Sequence, residues 1–508
     1  MLASNPRSEQ TTCLAAMLKA ALTEAATSDG VAIDFGEQSI RYDQLLVAVS
    51  QVQQRLNQAG LRPGDRVGVH VMRSPTLITT LLACLFSGVA FVPLDPLFPS
   101  GRLKEIADEA KLNAVIEASC DGSAPIAFDC PVITLRLVDE NTAKETSRTP
   151  LYLPLLSPQS TAYIMFTSGS TGKSKGVVIS HQAMATFLSA AVTRLNLDDK
   201  CHWLLITTIA FDISILEIFA PLLVGGRLCL ASSEEHKDPH LVAALLTRHP
   251  SINTLQATPT FWRMMVNIGW RGKAGLRALI GGEALDAGLA EQLMARSRIL
   301  WNCYGPTEAT VWSMMSEVTT AHRLTIGSSL AGYGHFVLDE EGQPVPLGHE
   351  GELCICGNAL SDGYWQRDDL TASQFITCSD GRRYYRTGDV VRQLADDCYQ
   401  YIGRQDGQIK LRGYRIELGE IEARLRGLEA VLDAVVKLEG EGENRVLVGY
   451  LEQGERSNAS TPKMTRLQLR KALALQLPGY MIPTRFIWLE SLPKTASGKV
   501  DRKQLMVS

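Results

Sequence analysis

The chain has 508 residues, too many for one ordinary core, so two or more domains are expected. Its 45% hydrophobic, 20% charged and 6% aromatic content excludes disordered and fibrous classes. The formal net charge of −4 argues against a nucleic-acid partner. No apolar run is long enough to span a membrane, and the opening residues, with Pro6, Arg7, Glu9 and Lys19, lack a signal peptide's apolar stretch, so a cytoplasmic location is expected.

In chain order, VGVHVM at 67–72 predicts a buried strand and 76–88 a helix. Apolar runs at 203–208, 226–231, 253–257, 277–281 and 299–303 predict further strands, with helices near 214–223, 238–248 and 285–295. Strands alternating with helices imply an α/β architecture, a parallel sheet covered on both faces and ligands at the carboxyl ends of its strands. Around Gly403–Asp406 the pattern changes. QIKLRGYRI alternates like a hairpin, 417–427 and 465–476 read as helices, and VLDAVVKL and RVLVGYL as strands. The expected division is a large N-terminal domain, 1–405, and a small α+β C-terminal domain, 406–508, whose end LPKTASGKVDRKQL reads as a loop. Cys354 and Cys356 would share one strand face, but with no second Cys/His pair at zinc spacing they read as buried thiols.

The sharpest local signal is Thr167-Ser168-Gly169-Ser170-Thr171-Gly172-Lys173-Ser174-Lys175-Gly176, between the apolar runs AYIMF and VVIS. Glycines let backbone N–H groups approach an anion, hydroxyls add donors and lysines supply charge: the chemistry of a phosphate cradle, weighed against a plain polar turn between strands. A P-loop ATPase would need Gly where Thr167 stands and a helix after Lys173-Ser174; a β-branched run follows instead, so that reading fails.

This loop resembles the signature of the adenylate-forming (AMP-binding) superfamily, which includes acyl-CoA synthetases and the adenylation domains of peptide synthetases. Further segments resemble the family's motifs in its order: Asn302-Cys303-Tyr304-Gly305-Pro306-Thr307-Glu308, Tyr385-Arg386-Thr387-Gly388-Asp389, Gly403-Arg404-Gln405-Asp406 with the following Lys410–Gly413 segment, and Ser497-Gly498-Lys499. The resemblance implies a layered α/β N-terminal domain and a mobile α+β C-terminal domain that turns about a hinge at Asp406. It implies ATP binding by Thr167, Ser168, Gly169, Ser170, Thr171, Gly172 and Lys175 at the phosphates. Asn302 and Tyr304 with Gly305 would take the adenine, and Asp389 and Arg404 the ribose. Thr307 would donate to the α-phosphate, Glu308 would hold Mg2+, and Lys499 would bridge the substrate carboxylate and the α-phosphate. Departures are mild: Ala359 stands where Gly is usual, Arg367 is followed by Asp rather than Pro, and Ser497 replaces the commoner Asn.

The substrate turns on Phe211-Asp212. By spacing alone Asp212 also fits a helix N-cap; the resemblance to amino-acid-activating members implies that it pairs with the substrate ammonium. The rest of the implied pocket is Ile213, Leu216, Gln256, Leu279, Gly281, Cys303, Val311 and Trp312, and it resembles that of glycine-activating domains. An inward Trp312 would fill the volume of a side chain, leaving room for hydrogen or a methyl. The expected enzyme activates glycine with ATP to aminoacyl-AMP and pyrophosphate, then loads a carrier protein's phosphopantetheine thiol. A D-alanine (or L-alanine)–carrier protein ligase and an acyl-CoA synthetase-like ligase are the alternatives. Little chain follows Arg502, and no Gly-Gly-x-Ser or His-His motif occurs. A separate carrier protein acting in trans on a free-standing or excised enzyme is therefore expected, and a small helper protein is a further candidate partner.

Overall fold

Alternating buried strands and half-buried helices dominate the computed structural model, which describes residues 13–118, 126–138, 151–169, 174–378, 381–394, 397–405, 408–411, 413–440, 445–453, 463–494, 500–502 and 504–505. A nine-stranded sheet runs in the order Ser328–Ser329, Met314–Glu317, Ser297–Tyr304, Lys273–Gly281, Thr254–Ala257, His202–Leu205, Arg227–Leu230, Val31–Phe35 and Gln38–Arg41. Its interior pairings are parallel and its outer strands antiparallel. A seven-stranded sheet holds Gly363–Tyr364, Lys175–Ser180 and Thr161–Thr167 in antiparallel pairing beside parallel Ala90–Pro93, Arg66–His70, Ala114–Ala118 and Val132–Leu135.

Helices lie between these sheets. Pro75–Ser87 starts with Pro at its first position, ends at Gly88 in the left-handed region (φ 68) and is buried along nearly its whole length. His181–Leu195 is capped by Ser180, whose side chain accepts from the Ala183 N–H. The main core joins these helices with Leu14–Ala25, Tyr42–Gln58 and Ser214–Leu223.

From Tyr333 the architecture departs from the strand–helix alternation. Tyr333–Leu338, Glu350–Gly357, Arg383–Gln393, Phe375–Thr377 and Tyr399–Arg404 form an all-antiparallel sheet. Parallel neighbours need a crossover of a dozen or more residues, and the 339–349 connection between the first two strands falls short of that. The hairpin Gln408–Leu411/Tyr414–Glu417, the helices Leu418–Arg426 and Arg466–Ala474, and the sheet Val431–Glu439, Val446–Gln453 and Arg485–Leu489 follow. This smaller α+β unit has its own core around Ile416, Ile421, Leu425, Val436, Leu451 and Leu469. No helix among the described residues is long and apolar enough to cross a membrane.

Candidate active site

The parallel strands Thr254–Ala257, Lys273–Gly281 and Ser297–Tyr304 end side by side. Gln256 stands opposite Leu279, and Gly281 opposite Cys303. Two-residue alternation therefore puts Gln256, Leu279, Gly281 and Cys303 on one face, while Leu255, Ala278, Ile280 and Leu300 fill a separate core behind the sheet. Leu216 and Glu217, both fully buried, come from Ser214–Leu223 on the near side.

Trp312 reaches this face through a bent loop. After the single turn Thr307–Ala309, Thr310 (φ 54) and Val311 (φ 71) both adopt the left-handed region, which a β-branched residue enters only under strain. The Thr310 hydroxyl donates to the Ala359 carbonyl (2.6 Å), and the Tyr333 hydroxyl to that of Ala309 (3.0 Å), holding the bend. The Trp312 indole donates to Gln256 Oε1 (2.9 Å) and lies against Gly281, where a Cβ would meet its Cη2 at 2.7 Å. Gly305 is equally confined, since a Cβ there would lie 2.6 Å from the Trp312 Cα. Trp312 borders two spaces: a cavity of about 100 Å³ with Asp212, Ile213 and Thr307, and one of about 500 Å³ with Asn302, Cys303, Tyr304 and Arg404. Leu216, Gln256, Leu279 and Val311 are buried behind the walls.

Asp212 does not cap the neighbouring helix, which begins at Ser214 with Ile213 at its cap position and no side-chain cap bond. Burial pushes the Asp212 carboxyl up from 3.8 to about 6; the Thr307 hydroxyl and the Ile213 N–H oppose the rise, and the Glu308 charge adds to it. Among the described residues no ion pair reaches it.

Around the larger cavity, the Tyr304 hydroxyl donates to Asp389 Oδ2 (2.5 Å) and Arg404 Nη1 to Asp389 Oδ1 (2.8 Å). The Asn302 amide donates to the Thr325 carbonyl (2.7 Å). Thr167 and Lys175 face each other at the base of the glycine-rich loop, and the buried Thr167 hydroxyl has no protein partner among the described residues, as suits a cradle that completes its bonds with a ligand. Ser170, Thr171, Gly172, Asp406 and Lys499 lie outside the described residues.

The C-terminal hairpin closes over this site, and its contacts were not legible from motif spacing. Arg415 Nη1 donates to Glu308 Oε2 (2.8 Å); Lys175 Nζ (3.3 Å) and the Tyr364 hydroxyl (2.7 Å) reach Oε1. Burial alone would raise the Glu308 carboxyl, but Arg415 and Lys175 hold it far below the usual carboxylate range. In this arrangement Glu308 does not fit a dication, because two protein cations already more than balance its single negative charge. Ser168 donates to the Arg415 carbonyl (2.9 Å) and accepts from the Glu417 N–H (3.2 Å). The Gly413 N–H donates to Glu283 Oε1 (2.6 Å); φ 81 and the Thr258 side chain beside the missing Cβ both require glycine there. Lys410 Nζ stands 5.6 Å over the Tyr304 ring, which the resemblance implies would take the adenine. Arg102–Glu420 (2.7 Å) and Arg424–Glu105 (2.6 Å) complete the junction. Arg415 lies in the QIKLRGYRI run, but its partner lies 107 residues away, a pairing that no local pattern signals.

The family model for AMP-binding enzymes matches residues 21–365. A dimodular nonribosomal peptide synthase of Bacillus subtilis (strain 168) is 35% identical over 491 residues, covering 94% of this chain and 20% of that protein. The chain thus spans about a fifth of that relative's length. Among solved structures, a four-domain nonribosomal peptide synthetase bound to AMP and glycine is 37% identical, with a TM-score of 0.69, over 98% of this chain and 37% of that one. An artificially fused adenylation–PCP di-domain from Klebsiella oxytoca is 26% identical, with a TM-score of 0.83, over 94% of each chain.

Proposed function

Because the chain belongs to the AMP-binding enzyme family, and is on that ground an ATP-dependent adenylate-forming ligase, we propose that it activates a small amino acid, glycine, for transfer to a carrier protein's phosphopantetheine thiol. The observation that carries this reading is the pairing of Asp212 with Trp312 across one small cavity. A half-buried carboxylate whose pKa is raised chiefly by loss of water, and to which no ion pair among the described residues is made, is suited to a substrate ammonium. The indole beside it leaves little volume for a substrate side chain. The likeness to a synthetase bound to AMP and glycine adds support.

In the proposed reaction a glycine carboxylate oxygen attacks the α-phosphorus of ATP. An O–P bond forms, the α–β anhydride breaks, and pyrophosphate leaves with the electron pair. The thiol then attacks the acyl carbon and AMP departs. Asp389, Arg404, Tyr304 and Asn302 surround the space assigned to the nucleoside, and Thr307, bonded to Asp212, lines the small cavity. Lys499 is assigned to the charge that builds up where the two anions meet. Glu308, paired with Arg415 and Lys175, is assigned no metal in this reading.

ATP–pyrophosphate exchange over an amino-acid panel tests the reading. Glycine should stimulate exchange most. Equal or better exchange with D-alanine, or with any large amino acid, would overturn it.

A further inference from the structure

Behind the small cavity runs a hydrogen-bond chain that ends on a carboxylate to which neither the reaction nor the pocket assigns a role. An indole N–H can only donate, so Gln256 must present Oε1 to Trp312. The Gln256 amide nitrogen then donates to the Ile213 carbonyl (3.0 Å) and to Glu217 Oε1 (2.9 Å), both acceptors, so one orientation of the amide satisfies every bond. Glu217, with no exposure, also accepts from the Thr207 hydroxyl (2.6 Å) and from the Ile206 and Thr207 N–H groups (3.1 Å each). Arg73 donates to the Leu205, Thr207 and Ala231 carbonyls and places its charge near the same carboxylate. The far end of the chain is therefore held by a strand terminus and by buried charge.

We propose that Glu217 is a specificity-positioning residue: acting through Gln256, it holds the Trp312 indole in the orientation that limits the size of the acid the pocket admits. The proposal deepens the small-substrate reading and rests on it. Gly281 provides the space for the indole and Gln256 sets its direction. Glu217 helps to set Gln256, because it and the Ile213 carbonyl are the two acceptors that keep the amide nitrogen turned away from the indole. With Glu217→Gln, one amide nitrogen must face another donor. The Gln256 amide then keeps only the Ile213 carbonyl as an acceptor, and its hold on the indole N–H weakens.

The test measures kcat/KM for glycine, L-alanine and D-alanine in pyrophosphate exchange for the full chain, Glu217→Gln, Gln256→Met and the double variant. One methyl in a tight pocket is discriminated by about 10–200-fold, so the preference for glycine should fall by about tenfold in each single variant, chiefly through a lower KM for alanine, with the KM for ATP unaltered. In the Gln256→Met background Glu217→Gln should change the preference no further, because the link it acts through is already gone. Additive losses, or an unchanged preference in soluble Glu217→Gln, would overturn the proposal. Should Glu217→Gln not fold, Thr207→Val, which removes one donor to Glu217, must lower the preference in the Gln256 wild type and not in Gln256→Met; equal effects in both would overturn it. A wild type that does not prefer glycine refutes the substrate reading alone. The relay then stands or falls on whether both single variants shift the size limit together.

Discussion

Replacing Arg415 by Met should loosen the C-terminal hairpin from the site. Glu308 is fully buried, and Arg415 is the one charged donor to its Oε2 among the described residues. Removing one partner of a buried ion pair costs about 3–5 kcal/mol. Lys175 at 3.3 Å and the Tyr364 hydroxyl at 2.7 Å remain on the other oxygen, which puts the loss at the lower end, about 3 kcal/mol. That corresponds to about a hundredfold shift toward the undocked hairpin. Amide hydrogen exchange reads the shift directly, because the Gly413 and Glu417 N–H groups donate across the junction to Glu283 and Ser168. Protection at these amides should fall by about a hundredfold, while the Thr254–Ala257 strand keeps its own. Arg415→Lys, which retains the charge, should keep most of the protection. Unchanged protection in Arg415→Met would refute the view that this pair holds the hairpin down.

Trp312→Ser should admit larger amino acids in the exchange assay; an unaltered substrate profile would place the size limit elsewhere. The cost should be a loss of stability near that of other buried aromatic truncations, about 3–5 kcal/mol, seen as a lower denaturant midpoint. Asp212 makes amino-acid use depend on pH. Its folded pKa of about 6 lies above the ordinary 3.8, so its contribution to stability is full below 3.8 and is lost as pH rises through about 6. Ammonium binding runs the opposite way, since it needs the anion. kcat/KM for glycine should therefore rise with pH through about 6, and Asp212→Asn should be weakly active with no such limb. An acid limb that survives in Asp212→Asn would assign the titration to another group.

Much of the N-terminal architecture was legible because its signals are local. The apolar run at 277–281 lies in Lys273–Gly281, and the helix expected at 214–223 is Ser214–Leu223. Strand periodicity and Pro or Gly at helix ends act within a few residues, so they survive without tertiary information. The antiparallel sheet after Tyr333 was not legible from strand–helix alternation, because its order depends on which strands pair at a distance. Asp212 left two roles open by spacing. The helix start at Ser214 and the contact with Thr307 removed the capping role.

By itself, the sequence determined the order of the motifs, the α/β class and the chemistry of the side chains on hand: a hydroxyl-rich phosphate loop, a carboxylate for an ammonium and an indole for bulk. Only the tertiary structure decided that the Trp312 indole meets Gly281, that Gln256 and Glu217 stand behind it, and that Arg415 takes the carboxylate assigned to a metal. The physical reason is reach. Local patterns constrain neighbours along the chain, whereas bonds such as Trp312–Gln256 and Arg415–Glu308 join residues 56 and 107 positions apart and exist only once separate strands, loops and units have packed.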